Sequence, residues 1–171
     1  VKIEPMLARQ VTTYFSEILR TNGRIEQFID SDYTYMNHTL GKWIYRREDI
    51  RGARLRKVKL DDPRRGGIFT QPGLMTATAN GVDTSPVMRG VWVLESILGT
   101  PPAPPPPDVE SLPVDTREAT SIRERLDLHR KNEACYSCHA KIDPMGFAFE
   151  NFDVVGRWRD KYKRAKDPID P

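Results

Sequence analysis

Apolar side chains recur every three or four positions over residues 5–22, at Leu7, Val11, Tyr14, Phe15, Ile18 and Leu19. This spacing predicts an amphipathic helix. We expect the helix to begin near Pro5, because the first turn does not need the missing N–H, and to end at Asn22-Gly23. A second apolar-periodic stretch runs from Ile25 to Ile29 and again from Tyr33 to Ile44, so residues 1–45 are expected to be rich in helix.

The apolar pattern stops over residues 46–65, which are mostly charged and predict an exposed connection with a short strand at Lys57–Leu60. It returns after Ser85-Pro86, where serine can cap a helix and proline suits the first helical position. Gly99 is expected to end that helix. Its buried face would consist of Val91, Leu94, Ile97 and Leu98.

Six of the 14 prolines of the chain lie within residues 101–107. Such a run favours an extended polyproline II conformation and cannot continue a helix. We interpret residues 101–113 as a semi-rigid strap between two parts of the structure. A proline-rich ligand for an SH3-like domain is the alternative, but no other feature of the sequence indicates signalling.

Helical patterning resumes beyond the strap, where Ile122, Leu126 and His129 share one face of a predicted helix. Thr116 or Ser121 could cap it. Asn132 could cap a shorter helix, which we expect Asp143-Pro144 to end because the residue before a proline avoids the α conformation. These elements predict a mainly α fold.

Composition and charge exclude several classes of protein. The chain has 27 Lys+Arg and 24 Asp+Glu, a net charge of +3, and 38% hydrophobic residues, unlike a disordered polyelectrolyte or a strongly basic nucleic-acid-binding protein. The longest apolar run, Val91–Leu98, is interrupted by Glu95 and is far shorter than the roughly 20 residues of a membrane span. We therefore expect no nucleic-acid partner and no transmembrane segment.

Both cysteines of the chain lie in one motif, Cys135-Tyr-Ser-Cys138-His139. Residues three and four positions apart share a helix face, so both sulfurs and the imidazole would emerge together. That arrangement suits covalent attachment of one haem c, with His139 as the proximal ligand of the iron. Three alternatives stay open: a redox-active Cys-x-x-Cys, a structural disulfide, and a zinc site. The zinc site would use the two cysteines, either His139 or His129, and a fourth ligand from elsewhere in the chain.

The distal ligand of such an iron has three candidates. His129 lies six residues before Cys135, on the apolar side of its predicted helix, and Met145 lies six residues after His139. Met75 is the third candidate. His129 could instead be a half-buried histidine near a helix C-terminus, and Met75 a core methionine. An open distal position would indicate ligand chemistry and an enzyme rather than an electron carrier.

Aromatic residues after the motif are expected to pack on whatever the cysteines hold. Phe147 and Trp158 are candidate haem contacts, and Ile142 and Phe149 would complete the lining of the haem cavity. Either Asp143 or the carbonyl near Pro144 could accept the N–H of the proximal imidazole and raise its basicity.

Further motifs accompany the cysteines: Arg65-Gly-Gly-Ile-Phe-Thr-Gln71, Thr84-Ser-Pro86, Arg89-Gly-Val-Trp92, Leu98-Gly-Thr-Pro-Pro102, His129-Arg130, Ile142-Asp-Pro144, Gly146-Phe147, Glu150-Asn-Phe-Asp153 and Gly156-Arg-Trp158. As a set they resemble the cytochrome-c-like domain of large planctomycete-type secreted proteins of unknown function. The resemblance covers about residues 56–160.

The resemblance implies a domain organisation. Residues 1–55 would end a preceding helical domain, and residues 56–100 would begin the cytochrome-c-like module. The strap, residues 101–113, would then lead to the haem-attachment region, residues 114–171. Because the chain begins at Val1 without an initiator methionine, we expect it to be a piece of a larger polypeptide.

The resemblance also implies a haem-carrying module in an exported, multidomain protein. In that family a His-Arg pair recurs before the motif and the position of Met145 varies, which favours His129 as the distal ligand. The function expected is electron transfer through one covalent haem c, with an unidentified redox partner protein or domain. Haem c is attached outside the cytoplasmic membrane, so the expected location is periplasmic or extracellular. The alternatives are part of a haem enzyme with an open distal site and an interaction module stabilised by zinc or a disulfide.

Overall fold

The computed structural model describes residues 3–104, 122–129, 133–162 and 168–169. The chain divides into a first unit, residues 1–77 with 152–157, and a second unit, residues 78–151 with 158–171. The described residues are mostly helical with a small two-stranded sheet, so the mainly α class is confirmed. The predicted domain boundaries at residues 55, 100 and 113 stay predictions.

Helix α1, Glu4–Arg20, opens the first unit and confirms the first predicted helix. Pro5 lies in its first turn, and the helix ends before Asn22, which adopts a positive φ of 50°. The buried stripe is narrower than the apolar pattern indicated. It consists of Leu7, Gln10, Tyr14 and Ile18, whereas Phe15 and Leu19 are exposed.

Strands β1, Tyr33–Met36, and β2, Arg56–Lys59, pair antiparallel, with Tyr33 opposite Lys59. The short strand predicted at Lys57–Leu60 is confirmed with a shift of one residue. The expectation of helix is wrong over Tyr33–Met36. Aromatic and β-branched residues favour a pleated strand, and here all four positions are buried.

The core of the first unit lies between the sheet, α1 and a short helix. Helix α2, His38–Leu40, continues as a π-helical turn, Gly41–Tyr45. One apolar cluster consists of Leu7, Met36, Leu40, Ile44 and Ile50, and a second of Tyr14, Ile18, Tyr33 and Tyr35. Helix α3, Pro72–Ala77, completes the unit.

A buried arginine ties the later segment, residues 152–157, into the first unit. Arg65 donates from Nη2 to the carbonyl of Gly156 over 2.8 Å. Its guanidinium carbon lies 4.8 Å from the ring centroid of Tyr45 and 5.1 Å from that of Phe152. Burial lowers the pKa of this guanidinium and raises the pKa of the Tyr45 hydroxyl, because each charged form loses hydration.

Helix α4, Pro86–Trp92, begins the helical part of the second unit, and the Ser85 hydroxyl accepts from the backbone N–H of Met88. The predicted cap is therefore confirmed. The helix continues as a π-helical turn, Val93–Ile97, before Gly99.

The predicted buried face of this helix is only partly observed. Leu94 is buried and Val91 half-buried as predicted, but Ile97 and Leu98 are 40% and 53% exposed. Val93, which the pattern did not include, is buried instead. The π-helical turn contains more residues per turn than an α-helix, so the residues after it leave the 3.6-residue register on which the prediction rested.

Helices α5, Ile122–His129, and α6, Glu133–Phe147, complete the second unit. The prediction that Asp143-Pro144 ends the last helix is wrong, because α6 continues through Pro144 to Phe147. A proline inside a helix forfeits one backbone hydrogen bond, at a cost of about 3 kcal/mol. Packing of the same turn against α4 offsets that loss. The proposed caps at Thr116, Ser121 and Asn132, and strap residues 105–113, lie outside the described residues.

Two glycines allow the backbones of α4 and α6 to touch. A Cβ atom at Gly146 would overlap the carbonyl oxygen of Pro86, and one at Gly90 would overlap that of Ile142. Each glycine thus faces the backbone of the other helix. Only a residue without a side chain fits at either position, so the approach of the two helices depends on both glycines.

A buried charge cluster joins the segment after α6 to α4. The Glu150 carboxylate accepts from Arg89 Nη1 at 3.2 Å, Arg159 Nη2 at 3.1 Å and Thr84 Oγ1 at 2.7 Å. Arg89 also donates to the Phe149 carbonyl over 2.8 Å. Glu150 and Arg89 are 0% and 1% exposed, so this cluster is shielded from water and counterions.

We predict that Gly146→Ala destabilises the protein. Helix propensity alone would favour alanine by about 1 kcal/mol, but the forced overlap with the Pro86 carbonyl should cost about 1–3 kcal/mol or more. Urea unfolding followed by circular dichroism measures the net change. Ala140→Ser, at an exposed position of the same helix, is the control and should change stability by less than about 1 kcal/mol. A Gly146→Ala protein as stable as the wild type would contradict the close approach.

We also predict that Glu150→Gln lowers the free energy of unfolding by about 3–5 kcal/mol, because the buried guanidinium of Arg89 and the half-buried one of Arg159 lose their shared carboxylate. The matched control is Glu26→Gln, which breaks the exposed pair with Arg24. Water and salt screen that pair, so its loss should leave the stability almost unchanged. Equal effects of the two substitutions in denaturant titrations would show that the cluster does not stabilise the second unit.

Candidate functional site

Helix α6 carries the whole Cys-x-x-Cys-His motif. Cys135 and Cys138 are separated by three positions and His139 follows, so the three side chains start from one face of the helix. Both cysteines are free thiols; Cys135 is buried, and Cys138 and His139 are half-buried. The structure therefore brings together the three residues on which the functional prediction rests, while their role as haem ligands stays a prediction.

A buried carboxylate orients the histidine of the motif. His139 Nδ1 lies 2.8 Å from the Oδ1 of Asp143, one helical turn further along α6. The Asp143 side chain is 1% exposed and that of His139 is 14% exposed. A hydrogen on Nδ1 satisfies this bond, and a histidine held in this way offers Nε2 as its ligating nitrogen.

This geometry decides between the two acceptors that the sequence left open. The sequence indicated either Asp143 or the carbonyl near Pro144, and in the structure the Asp143 carboxylate is hydrogen-bonded to the ring. An aspartate four residues after a histidine lies on the same helix face, so local spacing alone makes this pair available.

The two ends of this helix face differ in what they contact. Further along the face, Ile142 and Gly146 pack against α4. At the other end, Cys138 and His139 keep part of their surface exposed. The C-terminal half of α6 thus packs against α4, whereas the N-terminal half carries the motif, with Cys138 and His139 partly accessible to solvent.

The predicted aromatic contacts lie in the same unit as the motif. Phe147 is buried at the end of α6, and the guanidinium carbon of Arg123 lies 4.0 Å from its ring centroid. Trp158 is half-buried and donates from Nε1 to Asp160 Oδ1 over 2.9 Å. Sequence reasoning missed Arg123, although its position three residues before the buried Leu126 places both on one stripe of α5.

The three distal candidates lie in different elements. His129 is the last residue of α5, and its side chain is outside the described residues. Met145 is on α6 itself and is 38% exposed, whereas Met75 is buried in the first unit. The choice among the three therefore stays a prediction.

The described ranges contain neither a multi-ligand metal site nor a membrane-spanning helix. Within them, no group of three or more His, Cys, Asp or Glu side chains is arranged to hold a metal ion. A haem iron would take only His139 from the motif, because the two cysteines bind the porphyrin. No helix in these ranges is both long enough and apolar enough to cross a bilayer.

Comparison with known proteins identifies a family. Residues 65–162 match the family model PSCyt3, "Protein of unknown function (DUF1588)". No curated protein and no solved structure matches the chain. The matched segment covers more than half of the sequence, including α4, the described α5 and α6, and the complete cysteine motif. The chain therefore belongs to the PSCyt3 family of proteins of unknown function.

Proposed function

We propose that this chain is a c-type cytochrome module that carries one covalent haem and transfers electrons within a larger exported protein. The observation that carries the proposal is the histidine of a Cys-x-x-Cys-His helix, oriented through Nδ1 by the buried carboxylate of Asp143. A structural histidine needs no particular nitrogen to face outward, whereas a proximal haem ligand needs Nε2.

The donor set fits a haem. Cys135 and Cys138 are both thiols, the form required for thioether bonds in which each sulfur adds to one vinyl carbon and its hydrogen to the other. This addition consumes neither oxidant nor reductant. His139 would ligate the iron through Nε2. When bound, the haem supplies an iron that accepts and releases one electron between the ferric and ferrous states.

The exposure of the motif supports the same proposal. Cys138 and His139 are half-buried on a helix whose other half is tightly packed. A haem against this half would cover them and add apolar surface to a small unit, where added burial contributes most to stability. Phe147 and Trp158 are the aromatic residues proposed to contact it.

His129 is the distal ligand that we favour. In the sequence, His129 follows Leu126 by three positions, the spacing of residues on one helix face, and Leu126 is buried in α5. Met145 would have to reach the opposite haem face from the helix that already carries His139, which is a short tether for that path.

The proposal also implies where the protein acts and what kind of partner it has. Haem c is attached outside the cytoplasmic membrane, so the module would act in the periplasm or at the cell surface. Its partner would be a redox protein or a redox domain of the same polypeptide.

We predict that the protein, produced in a host with haem c maturation, gives a pyridine haemochrome spectrum with one haem per chain. The double variant Cys135→Ser/Cys138→Ser should lose the covalent haem, since neither hydroxyl forms the thioether. Tyr136→Phe, at an exposed position between the cysteines, is the control and should retain it. Metal analysis that finds stoichiometric zinc and no iron would contradict the proposal.

We predict that His129→Ala converts a low-spin ferric spectrum to a high-spin one that binds cyanide readily, because the iron loses its sixth ligand. Met145→Leu is the matched control and should leave the spectrum low-spin. A low-spin spectrum in the His129→Ala protein would exclude this histidine as ligand. A wild-type protein that is already high-spin would instead favour the enzyme alternative with an open distal site.

A further inference from the structure

The His139–Asp143 pair carries an inference about how the proposed haem would be tuned. The hydrogen bond joins Nδ1 to a full carboxylate rather than to a backbone carbonyl, over 2.8 Å. Hydrogen bonds to an ionised acceptor are about twice as strong as those between neutral groups. Such a bond draws the Nδ1 proton toward the acceptor and makes Nε2 a stronger electron donor.

The surroundings of the carboxylate strengthen this effect. Asp143 is 1% exposed, and its position on α6 lies between Ile142 and Gly146, which pack against α4. A negative charge shielded from water interacts more strongly with a nearby charge than one at the surface. Asp143 also lies on the part of the helix that packs against α4, and its spacing of four residues from His139 keeps the two side chains on adjacent turns.

We propose that Asp143 is a positioning residue that stabilises the ferric over the ferrous state of the haem and so gives the module a low reduction potential. The proposal rests on the haem-binding function proposed above. A ferric site carries one more positive charge than a ferrous site, so the carboxylate and the electron-rich Nε2 both favour it. A low potential suits an electron donor whose partner is a more oxidising redox centre.

The test uses the holo-protein and the variant Asp143→Asn, which keeps the size of the side chain and an oxygen acceptor but removes the charge. We expect the haem content, measured as pyridine haemochrome, to be unchanged. The midpoint potential, measured by spectroelectrochemical titration, should rise. The iron–histidine stretching frequency of a five-coordinate ferrous form, made in the His129→Ala background, should fall because Nε2 donates less strongly.

Two further variants separate tuning from general effects. Glu95→Gln removes one carboxylate from the same unit at an exposed position that, among the described residues, contacts none of the proposed haem ligands or haem contacts named above, and it should leave the potential unchanged. Asp143→Glu keeps the charge and should retain a potential closer to that of the wild type than Asp143→Asn does. If the asparagine variant does not fold, Asp143→Ser provides the neutral side chain, and the same rise is expected.

The outcomes distinguish this inference from the function on which it depends. A wild-type protein that takes up no haem overturns both. A protein that binds haem normally but shows the same potential and stretching frequency in the wild type and the neutral variant overturns only the role of Asp143. A loss of thermal stability without a change in potential would likewise reduce Asp143 to a structural partner of His139.

Discussion

The second unit depends on backbone contact between α4 and α6. At Gly90 and Gly146 each helix presents hydrogen where other residues carry a side chain, and the carbonyl oxygens of Ile142 and Pro86 fill that space. Such a contact does not tolerate an added side-chain atom, because protein interiors are packed as densely as organic crystals. It sets where α6 lies, keeps it helical through Pro144, and thereby determines which part of the cysteine-bearing face stays accessible. The chemistry of the motif is thus positioned by residues that have none of their own.

The charge cluster around Glu150 adds hydrogen bonds that further constrain the position of α4 in the second unit. The glycine contact is a steric fit, whereas the Glu150 carboxylate accepts directional hydrogen bonds from Arg89, Arg159 and Thr84. Burying such groups is costly and is tolerated when every charge is paired. A buried arginine makes a comparable long-range hydrogen bond in the first unit. Arg65, the first residue of the segment that matches the family model, donates to the carbonyl of Gly156 near the end of that segment.

What the sequence could predict depended on the range of the interaction. The start of α1, the Ser85 cap and the shared face of the cysteine motif follow from contacts within one helical turn. For the same reason the sequence indicates Asp143 as one of two possible acceptors for His139, and the structure selects it. Strand β1 was misjudged because its partner β2 lies some twenty positions away and its local pattern did not reveal the pairing. The helix through Pro144 and the Glu150 cluster depend on α4, about sixty positions earlier, and no local spacing could show them.

The two thiols of α6 could react in two ways, and the order of those reactions would matter for maturation of the protein. The Cα atoms of two cysteines three positions apart on a helix lie within about 6 Å of each other, a separation at which a disulfide can also form. In an oxidising compartment, sulfur–sulfur closure and haem attachment would therefore compete for the same two atoms. A disulfide between the two cysteines would block haem attachment, because the thioether bonds require free thiols. Maturation of such a module would therefore need the two cysteines to be reduced before the haem is attached.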